Sequence, residues 1–154
     1  MWQYQITKYD PNKRDDQGKY LDQNEWTEFS EVGENVSLEE YEKVESLYIE
    51  AAYELISANG IEALQLVYLE DYQNLCPYKE KAMIEKENIR EVVRSFLRHE
   101  YWGKLESEKG FIHVGWDFYM YVGFTGLNTE AVFKVSDSGL FVESRTSPYN
   151  EKDS

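Results

Sequence analysis

An α+β fold is the fold class that the sequence predicts, with a largely antiparallel or mixed β-sheet and about three helices, mainly on one face of the sheet. The chain has 154 residues, of which 42% are hydrophobic and 16% aromatic, and a chain of this length can bury one core. Two long stretches carry apolar residues at helical spacing. They are interspersed with short runs typical of strands, and such a mixture favours helices packed on an antiparallel sheet.

The sequence shows no boundary between domains. No repeat, linker or low-complexity block divides the chain. We therefore expect a single α+β domain over residues 1–148, followed by a flexible polar tail at 149–154.

The first elements are a strand and an irregular acidic segment. Trp2, Tyr4 and Ile6 alternate with polar residues, which is the period-two pattern of a strand with one buried face. The pattern stops at Asp10, before Pro11. In the acidic segment that follows, Trp26 and Phe29 are the expected hydrophobic anchors.

The clearest helix starts after Ser37. Ser37 and Glu40 form a predicted capping box, flanked by Val36 and Tyr41 as a hydrophobic staple. Apolar residues then recur every three or four positions up to residue 56. Asn59 and Gly60 supply the expected stop. Residues 61–70 follow as an interior strand, with Leu64, Leu66 and Tyr68 expected on one side.

The second half of the chain alternates again. A second helix, beginning between Lys79 and Glu87, places Ile89, Val92, Val93, Phe96 and Leu97 on one face. The runs "YWGKLES", "GFIHVGW" and "DFYMYVGF" predict a β-meander. Asn128 caps a short third helix that Gly139 ends, and "LFVESR" forms the last strand.

The charge balance limits the possible partners. Sixteen Lys and Arg residues face thirty Asp and Glu residues, which gives a formal net charge of −14. Nucleic-acid binding requires a basic surface that replaces condensed counterions. The only candidate is the ridge of Arg90, Arg94 and Arg98, and Glu87 and Glu91 lie one turn before two of them. We therefore expect an ion-paired helix face and no binding of nucleic acid.

No membrane or cofactor signal is present. The chain has no run of eighteen apolar residues, and "MWQYQITKYD" lacks a basic start and an apolar signal core. We expect a cytoplasmic protein that does not associate with membranes. The glycines form neither GxGxxG nor a P-loop, so no cofactor is expected. Cys76 is alone and is interpreted as a small, partly buried hydrophobic residue.

The aspartate-rich stretch "YDPNKRDDQGKYLDQNEW" suggests a calcium loop. An EF-hand needs glycine at position 6 and glutamate at position 12. Setting Gly18 at position 6 puts Asn24 at 12, and starting at Asp10 puts Leu21 there. The aspartates are also common turn formers. We therefore expect no metal site.

The histidines offer a second place for chemistry. His99 precedes Glu100, but Gly103 stands where a zinc-binding HExxH motif needs its second histidine. A second grouping, which consists of His113, Asp117, Tyr119 and Tyr121, suits acid–base work on a bound ligand. A histidine on an apolar strand also suits a purely structural role.

Several motifs carry a resemblance to known proteins. "KYDPNKRDDQGKY…EWTEFSEVG", "LEEY", "FIHVGWDFYMYVG" and "GLFVESRTSPY" resemble sequences of a set of small bacterial proteins associated with the immunity proteins of polymorphic toxin systems. The resemblance implies a soluble, single-domain binder with no enzymatic activity. It assigns no functional residues.

Two hypotheses about function result. Under the first, the chain is an acidic protein-binding module that neutralises a basic partner such as a toxin, because opposite charges steer association. Its expected contact residues, which also extend to the helix start at Glu39 and Glu40, are Asp10, Asp15, Asp16, Asp22, Glu25, Trp26, Glu28, Glu31 and Glu34. Under the second, it is a small-ligand-binding protein or hydrolase with a pocket around His113, Asp117 and Tyr119.

Overall fold

The computed structural model describes residues 1–13, 25–126 and 128–150. It confirms the α+β fold. The strands are β1 (Trp2–Thr7), β2 (Ala63–Glu70), β3 (Met83–Glu85), β4 (Trp102–Glu106), β5 (Gly110–Val114), β6 (Met120–Phe124) and β7 (Phe141–Ser144). The helices are α1 (Leu38–Ala58), α2 (Lys86–Leu97) and α3 (Thr129–Asp137), with 3-10 turns at Pro11–Lys13, Phe29–Glu31 and Trp116–Phe118.

All strand pairs in the seven-stranded sheet are antiparallel. Its order is β3-β2-β4-β5-β6-β1-β7. The predicted meander is therefore confirmed as β4, β5 and β6 in succession. The first strand along the chain, β1, lies between two of the last ones.

Local signals set the bounds of α1. The Ser37 hydroxyl accepts a hydrogen bond from the Glu40 amide at 3.1 Å, which satisfies one of the free amides of the first turn. Asn59 ends the helix, and Gly60 follows with a φ of +70°. Only glycine takes that backbone conformation without steric cost. The predicted start and stop of this helix are both confirmed.

The core lies between the helices and one face of the sheet. The predicted apolar face of α2, from Ile89 to Leu97, is buried. It joins buried residues of α1 and of the sheet in one hydrophobic cluster. Helices α1 and α2 pack side by side, and α3 contacts α1 and β7.

The region of β2 and β3 differs from the prediction in two ways. Tyr68 does not share the buried side of Leu64 and Leu66, because its φ of 56° coincides with a register shift of β2 against β4. Its side chain is exposed. The short strand β3 was not predicted, and it pairs with the start of β2 directly before α2 begins at Lys86.

Candidate functional site

The described part of the acidic segment, from residue 25 onward, is held to the body by its aromatic anchors, as expected. Trp26 is 7% exposed. Its ring lies 5.2 Å from that of Tyr41 and 5.0 Å from that of Phe118. Phe29 lies 4.9 Å from Tyr41. The Trp26 side chain therefore offers little surface to a partner, although the sequence suggested it as a contact residue.

Several glutamates of this segment stabilise its own conformation. Glu31 accepts hydrogen bonds from the amides of Thr27 at 2.7 Å and Glu28 at 3.1 Å. These bonds, with that from Thr27 the strongest, lower the pKa of the Glu31 carboxyl. Glu25 forms an ion pair with Lys8. The carboxylate of Glu28 accepts a hydrogen bond from a neighbouring serine hydroxyl.

The remaining predicted contact residues differ in their surroundings. Asp10 accepts a hydrogen bond from the Asn12 amide at 2.9 Å, as expected for a turn former. Glu34 is exposed. Asp15, Asp16 and Asp22 lie outside the described residues.

An exposed acidic surface continues into α1. Residues 25–45 contain eight glutamates and one lysine. Glu39 and Glu40 stand in the first turn of α1, where the helix dipole favours negative charge. We use "acidic surface" for the exposed members of this group, which are Glu34, Glu39, Glu40 and Glu42.

The arginine ridge at the end of α2 is ion-paired, as predicted, but Glu87 and Glu91 of the same helix are not the partners. Arg90 donates to both carboxylate oxygens of Glu50, at 2.9 and 3.1 Å. Arg98 donates to both oxygens of Glu45, at 2.8 Å each, and Arg94 lies 3.6 Å from Glu45. The carboxylates therefore come from α1 and not from Glu87 and Glu91.

Glu45 is the residue of this group that sequence reasoning missed. It is 3% exposed, and it also accepts a hydrogen bond from the Tyr41 hydroxyl at 2.7 Å. A signal for it exists in the sequence. Glu45 occupies a position on the buried face of α1 between Tyr41 and Tyr48, where an unpaired carboxylate would be costly.

His113 lies in a buried hydrogen-bond cluster. Its Nε2 is 2.8 Å from Glu106 Oε2, and its Nδ1 is 2.7 Å from the Ser147 hydroxyl. Because a carboxylate only accepts, the Nε2–H donates to Glu106, and the neutral ring accepts the Ser147 proton at Nδ1. Burial, together with the nearby Lys104 ammonium, lowers the pKa of His113. This arrangement fits a structural histidine.

The C-terminal segment covers this face of the sheet. The buried Lys104 ammonium donates to the Tyr149 carbonyl at 2.6 Å. The Tyr149 ring contacts those of Trp102, His113 and Tyr121, and Asn150 donates to the Gln3 side chain. Residues 149 and 150, expected in the polar tail, therefore pack on the sheet, whereas residues 151–154 lie outside the described residues.

Of the other members of the predicted acid–base grouping, the structure brings Tyr121 to His113 but not Asp117 or Tyr119. Tyr121 stands directly opposite His113 in the β5–β6 ladder. Asp117 is exposed on the 3-10 turn after β5. The Tyr119 ring packs against that of Tyr9 at 5.3 Å. The structure thus surrounds His113 with Glu106, Ser147 and Tyr149, which sequence proximity did not indicate.

A cleft with aromatic walls lies at the end of α2. We call it the aromatic cleft and define it by Tyr72, Trp102 and Trp116. Glu70, His99 and Glu100 also line it, and its volume is about 70 Å³. The sequence interpretation assigned both tryptophans to strands. The signal for a different role was the turn-forming context of Trp116, between Gly115 and Asp117.

Among residues 1–13, 25–126 and 128–150, no three His, Cys, Asp or Glu side chains come together as metal ligands would. No helix within these ranges is both long and apolar enough to cross a bilayer.

Comparison of the chain with protein-family models, with curated proteins and with solved structures finds no match. Function is therefore inferred from the geometry alone.

Proposed function

We propose that this chain is an acidic module that binds a basic protein, and that it acts in the cytoplasm as an immunity-type neutraliser of a basic toxin. The observation that carries the proposal is the distribution of charge between α1 and α2. Arg90 and Arg94 of α2 and Arg98, which caps its C-terminal end, are paired with Glu45 and Glu50. The acidic surface at the start of α1 is left exposed to solvent.

This distribution suits rapid association with a positively charged partner. Exposed charges of one sign raise the rate of encounter with an oppositely charged protein. The part of the acidic segment from residue 25 onward is also held in place before binding, because Trp26 and Phe29 are fixed against Tyr41. A surface that is already ordered loses less conformational entropy on association.

The enzymatic or small-ligand alternative has less support. His113 is fully buried, and both of its ring nitrogens are hydrogen-bonded within the protein. A general base needs to reach the proton that it removes from the substrate. The covering segment around Tyr149 separates His113 from solvent, which favours the binding hypothesis.

Association kinetics test the proposal. The partner candidate is the product of the adjacent gene, and stopped-flow mixing at several salt concentrations gives the association rate. Glu39→Lys combined with Glu40→Lys should lower that rate by about tenfold at low salt and flatten its salt dependence. The dissociation rate should change little, because exposed rim charges act mainly on encounter.

A matched charge reversal is available at the far end of α1. Glu62→Lys with Glu130→Lys makes the same change in net charge beside the last residue of α1, since exposed Glu62 follows Ala58 by four residues and Asn128, just before exposed Glu130, donates to the Ala58 carbonyl. The 21 residues of α1 separate the two sites by about 30 Å, well beyond a Debye length. The proposal fails if the adjacent product does not bind, or if both double variants slow association equally.

A further inference from the structure

We propose that the aromatic cleft holds the positively charged end of one lysine or arginine side chain of the basic partner. That the cation belongs to a basic protein partner rests on the proposed function. The preference of the cleft for an organic cation does not, because it follows from the residues that line the cleft.

The walls of the cleft present aromatic rings to solvent. Tyr72 is 88% exposed and Trp116 is 60% exposed, and Trp102 forms a further, partly buried wall. Exposed aromatic residues gathered at one place commonly mark an interaction site. The faces of tryptophan and tyrosine rings attract ammonium and guanidinium groups through their quadrupoles.

The charges of the cleft select for a cation. Glu70 and Glu100 line it, and among the described residues no lysine or arginine does. Within the part of the chain that the structure describes, His99 is the one lining side chain that can carry a positive charge. Its ring packs edge-on against Trp116 at 4.8 Å. Carboxylates beside aromatic faces favour a positively charged ligand over a neutral one of the same shape.

The size of the cleft restricts the ligand to the end of a side chain. Its volume of about 70 Å³ is well below the roughly 300 to 1,000 Å³ of pockets that enclose whole metabolites or drugs. A guanidinium or ammonium group with its last methylenes is of the right scale. The rest of the ligand must lie outside the cleft, as it does when the cation belongs to a protein.

The walls are fixed by internal hydrogen bonds. The Gln73 side chain donates to the His99 carbonyl at 3.1 Å, which ties the loop of Tyr72 to the end of α2. The turn that carries Trp116 contains two successive residues in the left-handed region, Asp117 and Phe118. The hydroxyl of Tyr48 donates to the Phe118 carbonyl at 2.8 Å and holds this turn. Such backbone conformations are concentrated at functional sites.

The cleft adjoins the acidic surface. His99 directly follows Arg98, which lies 4.0 Å from Glu42 of the acidic surface. The guanidinium of Arg98 also stacks over Phe29 at 4.7 Å. One partner can therefore meet both features, with long-range attraction by the acidic surface and a specific contact in the cleft.

The direct test uses side-chain mimics as probes. The probes are n-butylguanidinium and n-butylammonium, and n-butylurea serves as the neutral control of similar shape. The chain has four tryptophans, whose indole N–H signals in a ¹H–¹⁵N NMR spectrum can be followed separately. We expect both cations to shift the signals of Trp102 and Trp116 but not those of Trp2 and Trp26, and we expect n-butylurea to shift none.

Two variants with matched controls locate the site. Trp116→Leu should weaken the binding of n-butylguanidinium by about fivefold, whereas Trp2→Leu, at a tryptophan that is 51% exposed on β1, should not. Glu100→Gln should also weaken binding, whereas Glu108→Gln in the exposed β4–β5 turn should not. The Glu100→Gln change keeps the side-chain shape, so a loss of binding there reports charge.

The outcomes separate this proposal from the proposed function. The proposal is overturned if the cations shift the four indole signals no more than n-butylurea does. It is likewise overturned if Trp116→Leu leaves the dissociation rate of the partner complex equal to that of Trp2→Leu. If the adjacent gene product does not bind at all, the proposed function fails, while the probe titration still decides whether the cleft binds cations.

Discussion

Replacing Glu45 with alanine should lower the free energy of unfolding by about 3 kcal/mol, because removing one partner of a buried ion pair leaves the other charge uncompensated. The carboxylate of Glu45 is 3% exposed and accepts two hydrogen bonds from Arg98 at 2.8 Å each. Tyr41 would lose the acceptor of its hydroxyl as well. Because the Arg98 side chain keeps some access to water, we take the lower end of the range of about 3 to 5 kcal/mol.

Glu50 provides a matched control on the same helix. Its carboxylate also receives two hydrogen bonds from an arginine of α2, Arg90, at 2.9 and 3.1 Å. The Glu50 side chain is 59% exposed, and exposed pairs contribute only about 0 to 1 kcal/mol. Since both substitutions are Glu→Ala inside α1, helix propensity cancels, and the difference between them measures burial.

Urea denaturation followed by circular dichroism supplies the two free energies. A double variant, Glu45→Leu with Arg98→Met, should recover most of the loss, because no uncompensated charge remains buried. The reasoning is refuted if Glu45→Ala and Glu50→Ala differ by less than about 0.5 kcal/mol, which is the usual scatter of surface substitutions. A double variant as unstable as Glu45→Ala would also contradict it.

Three further predictions concern pH, packing and nucleic acids. Burial lowers the pKa of His113 in the folded protein, so this histidine takes up a proton at a higher pH in the unfolded chain than in the folded one. The free energy of unfolding should therefore fall as the pH drops below about 6.5, by at most about 1.4 kcal/mol per pH unit. Urea denaturation between pH 5 and 7.5 in a His99→Asn background should show this slope, and His113→Gln should remove it. Gly123→Ala should lower the free energy of unfolding by about 1 to 3 kcal/mol, because the new Cβ would lie 2.2 Å from the Phe111 ring; an unchanged urea midpoint would contradict this. With a net charge of −14, the protein should not bind DNA or RNA at physiological salt, and salt-sensitive submicromolar binding in a filter assay would disprove that expectation.

Elements that depend on local signals were predictable. The bounds of α1 follow from Ser37 and Gly60, which act on backbone groups within a few residues of themselves. The meander follows from alternating patterns in adjacent runs. In contrast, β3 has only three residues and exists through its pairing with β2, so no pattern within it is long enough to indicate a strand.

The candidate sites were less predictable because they join distant parts of the chain. Glu45 and Arg98 are 53 residues apart, and their contact depends on how α1 and α2 pack. The aromatic cleft combines segments around Tyr72, Trp102 and Trp116. For His113, nearness in sequence suggested Asp117, whereas the hydrogen-bond partner Ser147 comes from 34 residues away.

The place of β1 in the sheet has a consequence for folding during synthesis. Trp2 pairs with Phe124, and Thr7 pairs with Phe141, so β1 has no strand partner until more than a hundred further residues have been made. At about 5 to 20 residues per second, this wait is on the order of ten seconds. Strands β2 to β5 and helices α1 and α2 can assemble in that time. We therefore expect the nascent chain to carry a partial sheet whose β5 edge stays open until β6 emerges from the ribosome. We also expect the purified protein to refold slowly for its size, because the paired strands are so far apart in sequence.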